Sequence, residues 1–182
     1  MGNPLDGKGL MEYCTINNLL PDNQSCCRKH HAIETALVRV HNNIQASMNN
    51  QEITFLIILD LSAVFDTINH SLMMDILEND FGIVSVDKRW FKFDLDERQQ
   101  RFMIKQHMAD CFQLNSGVPQ GSCLGPVLFL MYAWGLFKVV DKHLTSIHTY
   151  ADDTQLYVLP CTQANAVNTI EKCTADVRDW MV

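Results

Sequence analysis

Apolar residues recur at regular spacings along this chain, and each spacing predicts a kind of element. Between residues 30 and 48 they return every three or four positions, which predicts a helix with one apolar stripe. The stripe consists of Ile33, Leu37, Val40, Ile44 and Met48. A second helix with the same spacing is predicted near the C-terminus, after Thr162 as a candidate cap. Its stripe consists of Val167, Ile170, Cys173, Val177 and Trp180.

A different pattern predicts strands in the middle and in the last third of the chain. Residues 53–59 are continuously apolar and too few for a typical helix, so they predict a strand buried on both faces. This run ends on Asp60. Residues 145–150 and 154–159 are rich in β-branched and aromatic side chains on either side of a short turn, which predicts a β-hairpin.

Other segments carry weaker patterns. Residues 1–29 contain several glycine and proline breakers and are predicted to be irregular. A helix is predicted after Asn69 or Ser71 as its N-cap. Its buried side is predicted to consist of Leu72, Met73, Ile76 and Leu77.

Between that helix and the hairpin, residues 98–114 are predicted to hold two strands around residues 107–110. A further helix is predicted from Pro126, a suitable first-turn residue, to Tyr132. The order is then helix, strand, helix, two strands, helix, hairpin, helix. This order indicates an α+β fold in which helices pack on one face of a sheet.

Composition limits the function classes. The 182 residues carry a net charge of −7, which argues against a basic nucleic-acid footprint over the whole chain. No apolar run approaches the roughly 18 residues that a membrane span needs, and the N-terminus does not resemble a signal peptide. The seven cysteines are odd in number and irregular in spacing, which predicts reduced thiols in an intracellular protein, with nucleus and cytoplasm both open.

Basic residues nevertheless cluster in one stretch. They are Lys88, Arg89, Lys92, Arg98, Arg101 and Lys105. Acidic residues are interleaved with them, namely Asp87, Asp94, Asp96 and Glu97. Two interpretations stay open for this segment, a solvated mixed-charge surface and a phosphate-binding strip.

Three carboxylates are the candidate chemistry of the chain. Asp152 and Asp153 lie at the tip of the predicted hairpin, and Asp60 ends the predicted strand. Taken singly, each is an ordinary turn or strand-end residue. If the strand lies beside the hairpin, however, the three negative charges converge and require cations for compensation. Two Mg²⁺ ions about 3.5–4 Å apart would clamp an in-line phosphoryl transfer, as in polymerases and nucleases.

Three segments in this order resemble successive motifs of reverse transcriptases, most closely those of non-LTR (LINE-type) retrotransposons. They are residues 59–66 (LDLSAVFD), 117–126 (GVPQGSCLGP) and 150–157 (YADDTQLY). Residues 24–37, with Gln24, Ser25 and Arg28, resemble an upstream block of the family. The resemblance extends from about Leu19 to Trp180. It implies a polymerase palm, a ferredoxin-like antiparallel sheet with helices on one face, over residues 51–182. Residues 1–50 would be partial fingers, and the thumb would be absent.

The resemblance also implies an activity and its metal ligands. The activity is that of an RNA-directed DNA polymerase, which adds deoxynucleoside triphosphates to a DNA primer on an RNA template. Asp60, Asp152 and Asp153 would be catalytic and would bind two Mg²⁺ ions, with Mn²⁺ as a possible substitute. The carbonyl of Leu61 would be a further metal ligand.

Residues that would contact nucleotide or nucleic acid follow from the same motifs. Phe65 would exclude a ribose 2′-hydroxyl, and its alternative is a core side chain. Gln120 and Gly121 would lie along the incoming nucleotide, and their alternative is a tight turn. Tyr150 and Arg28 would contact primer or template; their alternatives are a plain hairpin aromatic and a cap of the following helix.

The chain departs from the family at several places. Residues 26–29 are Cys-Cys-Arg-Lys where the family has Gly-Phe-Arg-Pro. With His30 and His31 they could mimic a metal site, but their spacing is not that of a zinc finger. The competing hypothesis is a catalytically inactive retroelement remnant, at most a weak nucleic-acid-binding module. A metal-dependent nuclease is a third hypothesis, although no His or Lys general base is apparent near the carboxylates. The oligomeric state is open.

Overall fold

The protein combines helices with small antiparallel sheets. A computed structural model describes residues 7–51, 54–61, 64–96, 98–118, 121–143, 145–158 and 163–181. The helices are α1 (Gly7–Ile16), α2 (Ile33–Asn49), α3 (Val64–Thr67), α4 (His70–Asn79), α5 (Ser85–Leu95), α6 (Gly125–Asp141) and α7 (Gln163–Met181). The strands are β1 (Phe55–Asp60), β2 (Gln99–Gln100), β3 (Met103–Ile104), β4 (His107–Met108), β5 (Phe112–Gln113), β6 (Thr145–Tyr150) and β7 (Asp153–Val158). Among these helices, none is long and apolar enough to cross a membrane.

The chain forms two compact units. One comprises Met1–Leu19 and Ala63–Tyr132, and the other comprises Leu20–Ser62 and Ala133–Val182. The predicted division into partial fingers over residues 1–50 and palm over residues 51–182 stays a prediction. The predicted features that lie outside the described residues include Ile53, Glu97, Gln120, Leu159 and the Thr162 cap.

The main sheet belongs to the second unit and has the strand order β1-β7-β6, all antiparallel. The predicted hairpin is confirmed as β6 and β7, and the predicted strand lies beside it as β1. The outer edge of β6 is partly covered, because Gln24 forms a parallel bridge with Thr149. Two backbone bonds of 2.9 Å stabilise this bridge, from Ser25 N to Thr149 O and from Thr149 N to Asn23 O.

Strand β1 corrects one prediction. It was expected to be buried on both faces, but it is an edge strand with alternating burial. Leu56 and Ile58 are 44% and 69% exposed, whereas Ile57 and Leu59 are half-buried. A continuous apolar run is typical of a strand covered on both faces, but the sequence of the strand does not say what covers it.

Helix α2 begins three residues later than predicted, at Ile33, and the predicted stripe is only partly correct, since Val40 is buried and Ile44 is half-buried. Ala36, Val40 and Ser47 are buried, whereas Ile33, Leu37 and Met48 are exposed. Two of the three buried positions are small, which permits close approach to the neighbouring strand β6. The hydrogen bond of 2.7 Å from Asn43 Nδ2 to the Tyr157 hydroxyl fixes this helix on the sheet.

Helix α4 confirms the prediction for its start, since the Asn69 side chain accepts a hydrogen bond of 3.1 Å from Leu72 N. Its predicted buried side is only partly correct. Met73 and Leu77 are fully buried, whereas Leu72 is exposed and Ile76 is half-buried. His70 takes the place of Leu72 on the buried side because its ring reaches the carbonyl of Gly117.

The last two helices are close to their predictions, with two corrections. Helix α6 runs on to Asp141 instead of ending at Tyr132. Gly135 does not end it; a Cβ there would lie 2.7 Å from Trp180 Nε1, so this glycine permits α6 and α7 to approach closely. On α7, Cys173 and Val177 are buried as predicted, whereas Val167 is exposed.

The prediction missed α1 and α5. Helix α1 lies in the segment predicted to be irregular, and Leu10 and Cys14 are buried one turn apart on it. Its first residue, Gly7, packs directly against the carbonyl of Cys123, where a Cβ would collide with backbone atoms. Gly7 is therefore a packing contact at the start of a helix, and not the helix breaker that its residue type predicts. Helix α5 was obscured by its many charges, although Phe91 and Leu95 anchor it.

The strands predicted within residues 98–114 form two short antiparallel pairs. Strand β2 pairs with β5, and β3 pairs with β4. The inner turn lies at residues 105–106 rather than within residues 107–110, because His107 already belongs to β4. All four strands are exposed.

A buried histidine is part of the main sheet. The His148 ring is fully buried, with Nε2 3.1 Å from Ser25 Oγ and Nδ1 3.4 Å from Gln155 Oε1. This arrangement satisfies a neutral ring that donates to Gln155 and accepts from Ser25. Burial lowers the pKa of His148, the hydrogen bond to Gln155 opposes this, and the charges of Arg39 and His31 lower it further.

The lowered pKa of His148 predicts a loss of stability in acid. In the unfolded chain His148 takes up a proton near its ordinary pKa of 6.5, whereas in the folded chain it does so only at lower pH. The free energy of unfolding should therefore be largest above about pH 6.5 and decrease as the pH falls through the folded pKa. Urea unfolding at several pH values measures this. In His148→Gln the free energy of unfolding should decrease less in acid, whereas in the exposed control His41→Gln it should decrease as in the parent chain. An equal decrease in His148→Gln would show that His148 is not its cause.

Candidate active site

The candidate carboxylates lie at one end of the main sheet. In the register of β1 and β7, Asp60 is directly opposite Asp153, and in the register of β6 and β7, Tyr150 is directly opposite Asp153. Directly opposed residues share a face, with Cβ atoms about 4.5–5.5 Å apart. Asp60, Asp153 and Tyr150 therefore form one row across the three strands. The prediction that the Asp60 strand lies beside the hairpin is confirmed.

Asp152 lies in the two-residue turn that joins β6 to β7. It is exposed, and its carbonyl accepts a hydrogen bond of 3.5 Å from Thr154 Oγ1. The preceding residue, Ala151, has φ 55°, a left-handed conformation that costs a non-glycine residue roughly 1–2 kcal/mol. Tight hairpin turns require such angles. The turn thus places Asp152 just beyond the strand end, next to Asp153.

The donor set suits a hard divalent cation. Mg²⁺ takes oxygen ligands and is commonly bound by one or two carboxylates, with waters and substrate phosphates completing the shell. Among the described residues, no group of three or more His, Cys, Asp or Glu side chains is arranged to hold a metal ion. Asp60, Asp152 and Asp153 supply the oxygen donors that Mg²⁺ prefers, and their role as metal ligands stays a prediction. Leu61, whose carbonyl was predicted to assist, directly follows β1 and its side chain is buried.

Phe65 belongs to the other compact unit and lies on the short helix α3. Its ring is half-buried and tilted 37° against Phe129, with centroids 5.2 Å apart. The carbonyl of Phe65 accepts a hydrogen bond of 2.7 Å from Val118 N. Phe65 thus packs on the core with one side and leaves part of the ring accessible, so its two predicted roles are compatible.

The glycine loop is anchored to the same segment on its N-terminal side. Gly117 N donates to Ile68 O at 2.8 Å, and the His70 ring donates to Gly117 O at 2.8 Å. Ser116 Oγ donates to the carbonyl of Asp66 at 3.1 Å. Gly117 has φ 87°, and a Cβ there would lie within 3.1 Å of backbone atoms of residues 65 and 66, so only glycine fits. His70 and Ser116 were not singled out from the sequence, in which nothing signals these contacts.

Further along the loop, Gly121 is exposed at φ 84°. No atom lies within 4 Å of the position that its Cβ would occupy, so the backbone is open to an approaching ligand. Gln120 lies outside the described residues, and its predicted role is untested. In the same unit, an open cleft of about 610 Å³ is lined by polar groups that include Asp66, Arg98, Gln100 and Ser116.

Arg28 is engaged by the chain itself. Its Nη2 donates to Leu20 O at 2.8 Å, and its Nη1 lies 3.7 Å from Asp22 Oδ1. It does not cap α2, because the hydroxyl of Thr35 accepts a hydrogen bond of 2.9 Å from Ala32 N at that helix start. The predicted contact of Arg28 with nucleic acid stays a prediction, as does that of the half-buried Tyr150.

The basic stretch is partly neutralised by its own neighbours. Lys88 forms an ion pair with Glu78, and Lys92 Nζ lies 3.9 Å from Asp96 Oδ2. Arg101 Nη1 donates to Met108 Sδ at 3.1 Å. These contacts favour the mixed-charge surface over a continuous phosphate-binding strip, and Arg98 lines the cleft.

Comparison with known proteins identifies the family. A family model described as "Reverse transcriptase (RNA-dependent DNA polymerase)" matches residues 7–182. The probable RNA-directed DNA polymerase from transposon BS of Drosophila melanogaster is 25% identical over 160 residues, covering 81% of this chain and 17% of that protein. The RNA-directed DNA polymerase from mobile element jockey of the same organism is 29% identical over 167 residues, covering 80% of this chain and 17% of that protein. The chain thus spans about a sixth of these relatives, and it belongs to the reverse transcriptase family, as a domain of the non-LTR retrotransposon type.

Proposed function

We propose that this domain adds deoxynucleotides to the 3′-hydroxyl of a DNA primer on an RNA template. The observation that carries the proposal is the pairing of Asp60 with Asp153, which brings two motifs that are far apart in the sequence to one end of the sheet. Membership of the reverse transcriptase family and the names of both Drosophila relatives, each an RNA-directed DNA polymerase, support the same reaction.

The three carboxylates would act as fixed negative charges on a rigid support. Asp60 and Asp153 are held by β-ladder hydrogen bonds, and Asp152 by a two-residue turn. Two Mg²⁺ ions, or Mn²⁺ in their place, would lower the pKa of the primer hydroxyl and neutralise charge on the departing pyrophosphate. Asp60 and Asp152 would be the shared ligands, Asp153 a weaker one, and the carbonyl of Leu61 a further oxygen donor.

The other predicted residues would position the substrates. The exposed part of the Phe65 ring would contact the sugar, and the open backbone at Gly121, with Gln120, would lie along the incoming nucleotide. Tyr150 and Arg28 would lie near primer and template. The sheet β1-β7-β6 would be part of a ferredoxin-like polymerase palm with helices on one face, and residues 1–50 would be partial fingers.

Substitution of a hairpin carboxylate should abolish primer extension. Asp152→Asn keeps the size of the side chain but removes the charge, so extension of a DNA primer on an RNA template in Mg²⁺ should decrease by about 10²–10³-fold. Asp60→Asn should behave in the same way. Asp75→Asn, an exposed carboxylate on α4, is the matched control and should retain activity. Thermal unfolding of the parent chain and the three variants shows whether a loss of activity results from misfolding.

The same assay distinguishes the alternatives. Extension that is unchanged in Asp152→Asn would refute the ligand assignment. An inactive parent chain that binds an RNA–DNA hybrid in a salt-dependent manner would favour the non-catalytic remnant. If the parent chain degrades the template and Asp152→Asn does not, the result would favour the nuclease hypothesis.

Removal of the Phe65 ring should relax sugar discrimination. If the ring contacts the sugar, Phe65→Ala should reduce the preference for deoxynucleotides over ribonucleotides, measured as the ratio of kcat/KM values, by roughly 10-fold or more. Phe129→Leu, which alters the packing partner 5.2 Å away, is the control and should lower stability without changing the ratio. Equal ratios of these kcat/KM values in the parent chain and in Phe65→Ala would show that Phe65 acts only as a core residue.

A further inference from the structure

Two adjacent cysteines, Cys26 and Cys27, have no part in the proposed polymerase roles. Cys26 Sγ and Cys27 Sγ are 3.4 Å apart and share a hydrogen bond. Cys27 is exposed to solvent and Cys26 is half-buried. Cys27 has φ 60°, so the backbone turns sharply at the pair. The two thiols are therefore close together, and one of them is accessible.

The pair is attached to the hairpin that carries Asp152. The backbone N–H of Ala151 opposes the increase in the pKa of Cys26. The residues just before the pair are joined to β6, since Ser25 N donates to Thr149 O at 2.9 Å. The segment that carries the pair is therefore joined to strand β6 of the hairpin.

The two sulfurs differ in their protonation. The hydrogen bond from Cys26 lowers the pKa of Cys27 to about 7, although burial opposes this. The same hydrogen bond, together with burial, raises the pKa of Cys26. Near neutral pH, Cys27 is thus partly a thiolate, while Cys26 retains its proton. The thiolate is the nucleophilic form of cysteine, so Cys27 is the first of the two to react.

We propose that Cys26 and Cys27 form a peroxide-reactive dithiol, in which Cys27 is oxidised first and Cys26 then closes a disulfide with it. An accessible, nucleophilic cysteine next to a resolving cysteine is the arrangement found in thiol redox sensors. The hydrogen bond from Ser25 N to Thr149 O would link this change to the hairpin that carries Asp152.

The reaction consumes one peroxide and yields two waters. The Cys27 thiolate attacks one oxygen of hydrogen peroxide, the O–O bond breaks, and the hydroxide that leaves takes up a proton. Cys27 is then a sulfenic acid. The Cys26 sulfur attacks the Cys27 sulfur, the S–O bond breaks, and the departing hydroxide combines with the Cys26 proton. The dithiol has given two electrons to the peroxide, and one S–S bond has formed.

The product would be easily reduced. Neighbouring Cα atoms are about 3.8 Å apart, whereas disulfides usually join Cα atoms about 4.4–6.8 Å apart. A disulfide between adjacent residues is strained for this reason, and strain makes the bond more reducible. The proposed site is therefore reversible and returns to the dithiol when a small thiol is supplied.

Reactivity of the pair can be measured without any polymerase assay. The folded chain is treated with iodoacetamide at a series of pH values, and each cysteine is quantified by peptide mapping. Cys111 and Cys123, which are exposed in the same chain, are internal controls. Cys27 should react first, with a midpoint near pH 7. Cys26→Ala should move that midpoint toward about 8.5 and slow the reaction at pH 7 about tenfold. Reaction of Cys27 no faster than that of the controls would overturn the proposal.

Treatment with hydrogen peroxide tests the second step. The peptide that contains both cysteines should lose two hydrogen atoms in the parent chain and recover them with dithiothreitol. Cys26→Ser should stop at a sulfenic acid on Cys27 that dimedone traps, and Cys27→Ser should leave the peptide unoxidised. Sulfinic acid on Cys27 in the parent chain, or oxidation that falls equally on Cys111 and Cys123, would overturn the proposal. These readouts are independent of primer extension, so the redox site and the proposed polymerase can fail separately.

Discussion

The antiparallel pairing of β1 with β7 is the constraint on which the candidate site depends. Side chains alternate between the faces of a strand, so a slip of one residue in this register would move Asp60 to the opposite face from Asp153. The pairing extends over six residue pairs, from Phe55 with Val158 to Asp60 with Asp153. Ile57 and Leu59 lie on the more buried face of β1, whereas Leu56 and Ile58 on the other face are exposed. Burial of one face thus helps to set the register, and the register places the carboxylates.

Elements of this site were predictable where a local pattern determines them. The hairpin follows from two β-rich runs around a short turn, and the carboxylate positions follow from the ends of those runs. The sequence did not predict which face of each strand or helix packs against other elements. The apolar run of β1 is half exposed, and the buried face of α2 carries Ala36 and Ser47 beside Val40, the one fully buried member of the predicted stripe. Both errors have one cause, because periodicity reports which residues share a face and not which face meets a partner.

The glycine loop shows the same limit at the level of single hydrogen bonds. Its motif was recognised from the sequence, yet its N-terminal end is held by His70 and by the backbone around Phe65, none of which belongs to the loop. Gly117 is required because its backbone touches residues 65 and 66, and Gly121 is surrounded by open space. Two glycines of one motif therefore have different physical roles. One permits packing within the protein, and the other leaves backbone accessible to a ligand.

The turn between β6 and β7 consists of Ala151 and Asp152, and its backbone is strained. Ala151 is held at positive φ, which is unfavourable for a residue with a Cβ, so the neighbouring contacts must stabilise the turn. One of these contacts is the hydrogen bond of 3.5 Å from Thr154 Oγ1 to the carbonyl of Asp152. Because a strained turn depends on its few contacts, the position of Asp152 is less constrained than that of Asp60, which the β-ladder holds independently.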